Sequence, residues 1–150
     1  MWTDQPLIVS LGLGDNSVGL VVGLCQRQIR PDHLLFADPG NEKAETYNYI
    51  PYFNRWLESV NFPPITVVRY QPKRFKYLAY STLAGNCLAN RTLPSIAYGM
   101  KGCSLKWKGE RLDAWVKALY GQQPRYRAIG YDCDARDSKR FAVALVRDGT

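Results

Sequence analysis

The fold is decided by the stretch LIVSLGLGDNS, residues 7–17, in which a short apolar run leads into a loop that contains Gly12 and Gly14. The apolar segment 18–29 follows at once and is too long for a strand, so it predicts a buried helix. Two glycines permit a tight turn and a close approach of the backbone to a ligand. The N–H groups at the start of a helix favour an anion. This stretch therefore predicts a strand, an anion-binding loop and a helix; an ordinary strand-to-helix turn is the alternative.

Strands and helices alternate along the rest of the chain. Four later segments have the apolar or β-branched composition of strands, at residues 33–37, 65–68, 126–129 and 141–146. Two segments between them have helical amphipathic patterns, at residues 41–60 and 104–119, and a short helix is expected at 80–90 within the irregular stretch 70–102. We expect Asn41 to cap the second helix, and Gly19 and Gly23 to bring the first helix close to the sheet. The alternation predicts an α/β fold of three layers, with a mostly parallel sheet of about five strands.

The length of the chain indicates the number of domains, and its net charge indicates the classes of partner. The chain has 150 residues, which suits a single domain over residues 1–150, and a net charge of +7. Such a charge fits a phosphorylated small molecule or nucleic acid, and a merely basic surface explains it equally well. The longest nearly apolar stretch, residues 18–25, is too short to cross a bilayer, and no targeting segment is visible. We therefore expect a cytoplasmic protein without a membrane partner.

A basic and aromatic segment follows the third predicted strand. It carries the cations Arg69, Lys73, Arg74 and Lys76 and the aromatic residues Tyr70, Phe75 and Tyr77. Cations that contact phosphates and rings that stack on bases are how single-stranded nucleic acid is often held. The segment predicts an RNA or DNA substrate, and a solvated loop is the alternative.

The cysteines and the histidine give little support for a metal. The cysteines are at positions 25, 87, 103 and 133, without C-x-x-C spacing, and the single histidine is His33. We therefore expect free thiols, no metal ligands and no iron–sulfur cluster. Lys106 follows Cys103 by three residues and would make that thiol reactive, but a small residue at a helix start is the alternative interpretation. We interpret Cys25 as part of the core and His33 as structural.

The loop resembles the PP-loop, S-[FG]-G-G-x-D-S, of the superfamily of ATP pyrophosphatases and phosphoadenylyl-sulfate (PAPS) reductases. Further stretches resemble the branch with many phage-encoded relatives, at residues 36–42 (FADPGNE), 45–47 (ETY), 86–95 (NCLANRTLPS) and 103–108 (CSLKWK). They occur in the order of that branch and cover residues 6 to about 135. The resemblance implies a PP-loop nucleotide-binding domain of the adenine nucleotide alpha-hydrolase-like, Rossmann-like type.

The resemblance also implies an activity. ATP, or a related adenine nucleotide, would be cleaved at the α-phosphate, and pyrophosphate release would activate an acceptor, as in a transferase. Magnesium at the phosphates is compatible with this implied activity. The implied catalytic residues are Lys106, Ser17 and Asn16. The implied nucleotide-binding residues are Ser10, Gly12, Gly14, Asp15, Asn16, Ser17, Phe36, Asp38, Lys108 and Gly130.

The sequence departs from the family pattern at three places. Leu13 replaces the second loop glycine, and Asn16 replaces the loop aspartate, although Asp15 precedes it. The carboxyl-terminal tail with the reducing cysteine of true reductases has no counterpart within residues 1–150. Asn16 and the missing tail favour one alternative, a non-catalytic nucleotide-binding module. The net charge and the basic and aromatic segment favour another, a sulfur-transfer or other nucleic-acid-modifying enzyme. A homodimer is also left open.

Overall fold

One parallel sheet forms the centre of the protein. The computed structural model describes residues 4–71, 79–100, 102–132, 134–135 and 137–139. The strands are β1 (Leu7–Leu11), β2 (His33–Asp38), β3 (Ile65–Arg69) and β4 (Tyr126–Ile129). They pair in parallel in the order β3-β2-β1-β4. The described sheet therefore has four strands where about five were predicted, and the expected fifth strand, at 141–146, lies outside the described residues.

The helices follow the strands in alternation. They are α1 (Asp15–Gln26), α2 (Ala44–Ser59), α3 (Leu83–Ala89) and α4 (Glu110–Tyr120). A 3-10 turn (Ser95–Tyr98) and a π-helix (Cys103–Gly109) lie between α3 and α4. The predicted α/β class is confirmed.

Apolar residues cover both faces of the sheet. Val9, Leu34 and Phe36 face a core that includes side chains of α1 and α2. Ile8 and Leu35 alternate with them and face a second core, to which α4 contributes. Because successive side chains of a strand point to opposite faces, β1 and β2 are apolar at nearly every position. Each fully buried aliphatic side chain contributes about 1.5–3 kcal/mol of transfer free energy.

The first helix differs from its prediction in position and in packing. It begins at Asp15 and ends at Gln26, whereas the apolar pattern predicted residues 18–29. Polar residues form its first turn, so apolar periodicity does not mark its start. Gly19 is exposed, and no atom lies within 4 Å of where its Cβ would be. The prediction that this glycine brings the helix close to the sheet was wrong.

The third helix is fastened to the loop between β2 and α2. Asn41 was predicted to cap α2, but the N-cap of α2 is Lys43. The Asn41 side chain instead accepts a hydrogen bond of 2.7 Å from the backbone N–H of Ala84, in the first turn of α3. The role of Asn41 is therefore determined by its contact with Ala84, which is distant in the sequence and which a local capping pattern does not predict.

The strand order creates a switch point between β1 and β4. From β1 the chain proceeds through β2 to β3, and it then returns to the other side of β1 to form β4. Open α/β sheets bind ligands beyond the carboxyl ends of two such strands, where the order reverses.

Within the described ranges, no helix combines the length and hydropathy needed to cross a membrane.

Candidate nucleotide-binding site

The predicted site residues gather at one edge of the sheet. Since all four strands are parallel, their carboxyl ends lie at the same edge. The loop 12–14 follows β1, Asp38 ends β2, Tyr70 follows β3 and Gly130 follows β4. Residues from distant parts of the sequence therefore border one crevice.

The amino terminus of α1 lacks a side-chain cap. Its N-cap is Gly14, with an extended backbone (φ −93°, ψ 172°). The first N–H groups of a helix have no acceptor within the helix, and glycine has no side chain to supply one. The space beside Gly14 is open, because a Cβ there would meet no atom within 4 Å. The arrangement presents N–H donors and the positive end of the helix dipole, which together suit an anion.

Ser17 holds the loop together from the inside. Its hydroxyl accepts a hydrogen bond from the Gly12 N–H (3.3 Å) and donates one to the Gly14 carbonyl oxygen (3.0 Å). The residue is buried, with 8% of its surface exposed. Ser17 was predicted to contact phosphate and to take part in catalysis. In this structure both hydrogen bonds of its hydroxyl are made within the loop.

Leu13 adopts a backbone conformation that favours glycine. Its φ is +57°, in the left-handed region, where a side chain costs roughly 1–2 kcal/mol. The side chain is partly buried and packs against the core beside α1, which offsets part of that cost. This is the position at which the PP-loop pattern has a glycine. The geometry therefore suits the pattern even though the residue differs.

Gly130 touches the first turn of α1. A Cβ at position 130 would lie 2.5 Å from the carbonyl oxygen of Asn16 and 2.8 Å from the nitrogen of Ser17. Such distances essentially never occur for real side chains, so only glycine fits without a shift of the backbone. The loop after β4 thus packs directly on the amino terminus of α1.

Sequence reasoning missed Arg127, a cation that contacts Ser10 at the switch point. Its Nε donates a 3.0 Å hydrogen bond to the Ser10 hydroxyl, and its guanidinium pairs with Asp113 of α4. Ser10 and Arg127 share the sheet face that carries α4, because each is in register with a residue of that core. An arginine in a short strand such as YRAI gives no signal of its own, since the contact depends on which strand β4 joins.

Asp38 is committed to contacts within the protein. Its carboxylate accepts hydrogen bonds from the Gly40 N–H (2.7 Å), the Tyr47 hydroxyl (2.6 Å) and Arg69 Nε (2.9 Å). Burial alone would raise the pKa of Asp38, but the hydrogen bonds from Tyr47, Gly40 and Arg69 outweigh it and lower that pKa. Burial and the bond to Asp38 raise the pKa of Tyr47. Asp38 was expected to bind the nucleotide, but these contacts use its carboxylate to order the loop after β2.

The two predicted lysines lie further along the same edge. Lys108 forms an ion pair with Glu42, in the loop after β2. Lys106 is exposed, and its ammonium lies 5.5 Å from the ring centre of Tyr70. Within the described ranges, no hydrogen bond or ion pair joins either lysine to residues 10–17. Both lysines therefore lie at the carboxyl edge of the sheet, but neither contacts the loop at residues 10–17 in the described structure.

The remaining predicted nucleotide-binding residues differ in how accessible their side chains are. The Phe36 side chain is fully buried in the core, so it is not available to a nucleotide. Asp15 and Asn16 are exposed in the first turn of α1. Mg²⁺ in proteins is usually held by one or two carboxylates together with phosphate oxygens. Asp15 and the Asn16 amide offer oxygen atoms of this kind at the loop, whereas the Asp38 carboxylate already accepts three hydrogen bonds.

His33 and Cys25, which lie away from the carboxyl edge of the sheet, have the structural roles that the sequence predicted. Nε2 of His33 lies 2.8 Å from the Tyr120 hydroxyl, and its ring packs edge-on against Trp115. Cys25 packs against the core. In the described part of the chain, no group of three acidic, histidine or cysteine residues is placed to hold a metal. Residues 73–77 and Cys133 lie outside the described residues.

Comparison of the chain with protein-family models, with curated proteins and with solved structures finds no match.

Proposed function

We propose that this protein binds ATP, or a closely related adenine nucleotide, with its phosphates at the amino terminus of α1. The observation that carries the proposal is the uncapped Gly14 terminus at the switch point, closed on one side by Gly130. The left-handed Leu13 and the neighbouring Arg127 support it, because both suit a loop that wraps an anion. The resemblance to PP-loop proteins selects adenine as the base and assigns the adenine nucleotide alpha-hydrolase-like type.

The proposed reaction is cleavage of the nucleotide between its α- and β-phosphates. An acceptor oxygen attacks the α-phosphorus, the bond to the bridging oxygen breaks, and pyrophosphate leaves. The chain contributes positioning and charge neutralisation: the first-turn N–H groups of α1 bind the departing pyrophosphate, and Ser17 keeps the loop in shape. Lys106 and Lys108 reach the nucleotide from the β2–β3 side, Lys108 after release from Glu42. Magnesium held by Asp15 and Asn16 would supply further neutralisation of phosphate charge.

A cap introduced at Gly14 tests phosphate binding. In Gly14→Asp the new carboxylate accepts hydrogen bonds from the first-turn N–H groups and repels phosphate. We expect a fold at least as stable as the wild type and ATP binding at least tenfold weaker by calorimetry. Gly14→Asn is the matched control, because it caps without charge and should weaken binding less. Undiminished affinity of Gly14→Asp for ATP would refute the proposal.

The bond that is broken is tested by product analysis. ATP is incubated with mixed small-molecule acceptors, or with total RNA, and released pyrophosphate is measured separately from orthophosphate. The proposal expects pyrophosphate from the wild type and none above background from Gly14→Asp. Orthophosphate as the main product would contradict cleavage at the α-phosphate.

A non-catalytic nucleotide-binding module is a second candidate. It is favoured by the internal contacts of Ser17, Asp38 and Lys108, each of which uses a polar group expected to serve the nucleotide. This candidate expects tight ATP binding that Gly14→Asp weakens at least tenfold, and no release of pyrophosphate by the wild type. The two measurements above therefore separate it from the enzyme.

A nucleic-acid-modifying enzyme is a third candidate, supported by a cluster after β3. The Tyr70 ring packs against Trp107 with 4.5 Å between ring centres. Lys106 lies 5.5 Å and Arg111 5.0 Å from the Tyr70 ring. The Nε atom of Arg111 is buried without a hydrogen-bond partner among the described residues, so this guanidinium is not fully satisfied within the protein. RNA binding that weakens steeply with salt, and less steeply in Arg111→Met, would support this candidate.

A further inference from the structure

A groove lies beside α3, away from the amino terminus of α1. It has a volume of about 800 Å³ and is bordered by α3, the segment after it and the loop after β2. Most of its lining is apolar, with Leu83, Leu88, Leu93, Pro94 and Tyr98 among the lining residues. A volume between about 300 and 1,000 Å³ is typical of small-molecule sites. The groove is therefore the size of a ligand site but does not belong to the phosphate loop.

The groove is held open by hydrogen bonds between its borders. The backbone N–H of Leu83 donates to the Pro39 carbonyl oxygen (2.9 Å), and the N–H of Ala84 donates to the Asn41 side chain (2.7 Å). Thr82 caps α3 by accepting from the Gly85 N–H (3.0 Å). The wall formed by α3 is thus fastened to the loop after β2, which itself follows a central strand.

One cation lines the groove in an unusual backbone position. Arg91 follows the C-cap of α3 with φ +51°, where helices commonly have glycine. The Thr92 N–H bonds to the Cys87 carbonyl oxygen (2.9 Å) and the Arg91 N–H to that of Leu88 (3.1 Å), which is the Schellman pattern. Among the described residues, no carboxylate lines the groove and no ion pair involves Arg91. An arginine at a glycine position is thus presented to an apolar groove.

We propose that this groove binds a small organic acid with an apolar body. The acid group, a carboxylate or sulfonate, pairs with the Arg91 guanidinium, while the side-chain NH2 of Asn41 offers a further hydrogen-bond donor. The apolar body lies between Leu88, Leu93 and Tyr98, which are 78%, 62% and 59% exposed and lose water on binding. A nucleoside triphosphate is a poor fit, because Arg91 is the one cation among the described lining residues and would face several negative charges. The proposal is independent of ATP binding at α1.

The test compares an acid with its neutral analogue. Octanoate and 1-octanol are titrated as competitors of the fluorescent probe 8-anilinonaphthalene-1-sulfonate. We expect the wild type to bind octanoate about tenfold or more tightly than octanol, because a charge-assisted hydrogen bond contributes about 1.5–3 kcal/mol. In Arg91→Gly this preference is expected to vanish. Glycine suits the left-handed position, so this variant folds at least as well as the wild type.

The variants Asn61→Gly and Leu88→Glu serve as controls. Asn61→Gly changes another left-handed residue (φ +57°), at the end of α2, and should leave the preference for octanoate unchanged. Equal binding of acid and alcohol by the wild type, or an unchanged preference in Arg91→Gly, would overturn the proposal. So would a wild-type dimer that Leu88→Glu converts to a monomer in sedimentation velocity, without octanoate binding by either form, since the groove would then be an interface between copies.

Discussion

Gly130 and Asn16 are in backbone contact, so close that a Cβ at position 130 would lie 2.5 Å from the carbonyl oxygen of Asn16. The residue after β4 thus sits directly against the first turn of α1. Any side chain at position 130 must therefore displace the loop after β4 and the helix terminus relative to each other, at the crevice that we propose for phosphate. The contact therefore links the packing of the sheet to the geometry of the site.

The first prediction concerns Gly130→Ala. We expect the free energy of unfolding to fall by about 1–3 kcal/mol, because the new methyl group meets backbone atoms that cannot rotate away. ATP affinity should fall at least tenfold, because the donors at the start of α1 are displaced. Chemical denaturation and calorimetry measure the two effects. Gly19→Ala is the control, and it should raise stability by about 0.5–1 kcal/mol because its Cβ meets no atom within 4 Å.

The second prediction isolates the conformation of Leu13. Leu13→Gly and Leu13→Ala both remove the packing of the leucine side chain, but only glycine adopts φ +57° without a steric cost. We expect Leu13→Gly to be more stable than Leu13→Ala by about 1 kcal/mol in urea denaturation. An alanine variant as stable as the glycine variant would show that the left-handed conformation is not kept in solution.

The third prediction concerns pH and Asp38. The folded protein lowers the pKa of Asp38 below its ordinary value of 3.8, so its contribution to stability is complete above that value. The contribution is lost as pH falls through the folded pKa, because the folded carboxylate then takes up a proton. Asp38→Asn should therefore be less stable than the wild type at pH 7, with a difference that narrows towards pH 3.

Urea denaturation at pH 7 and at pH 3 measures this difference. Tyr47→Phe is the companion variant, because it removes one of the donors to Asp38 and should show a smaller loss in the same direction. Wild type and Asp38→Asn losing the same stability between the two pH values would contradict the interpretation.

The fourth prediction tests whether Lys108 leaves its ion pair to serve the nucleotide. Glu42→Gln frees the lysine, whose side chain is 41% exposed in the pair. The stability cost should be below about 1 kcal/mol, as for other partly exposed ion pairs. ATP affinity, measured by calorimetry at low salt, should rise in Glu42→Gln and fall in Lys108→Met. If neither variant changes the affinity, Lys108 has no role at the phosphates.

Particular residues show how far sequence reasoning reached. The strand at Tyr126–Ile129 was predicted with the bounds that the structure has, because its flanking turn signals are local. The start of α1 was misplaced by the apolar pattern, since its first turn is polar and belongs to the loop. The carboxylate of Asp38 was recognised as important, but its engagement with Tyr47 and Arg69 depends on the packing of two other elements.

The sequence by itself determined the alternation of strands and helices and the glycine-bearing loop after the first strand. Apolar spacing and turn residues act over a few neighbours, and those neighbours are fixed in the chain. Only the tertiary structure decided that β4 lies beside β1, which joins Arg127 to Ser10 across 117 residues and seats Gly130 on Asn16. Strand order follows from the burial of both sheet faces by crossover helices, a condition on the whole chain that no local pattern states.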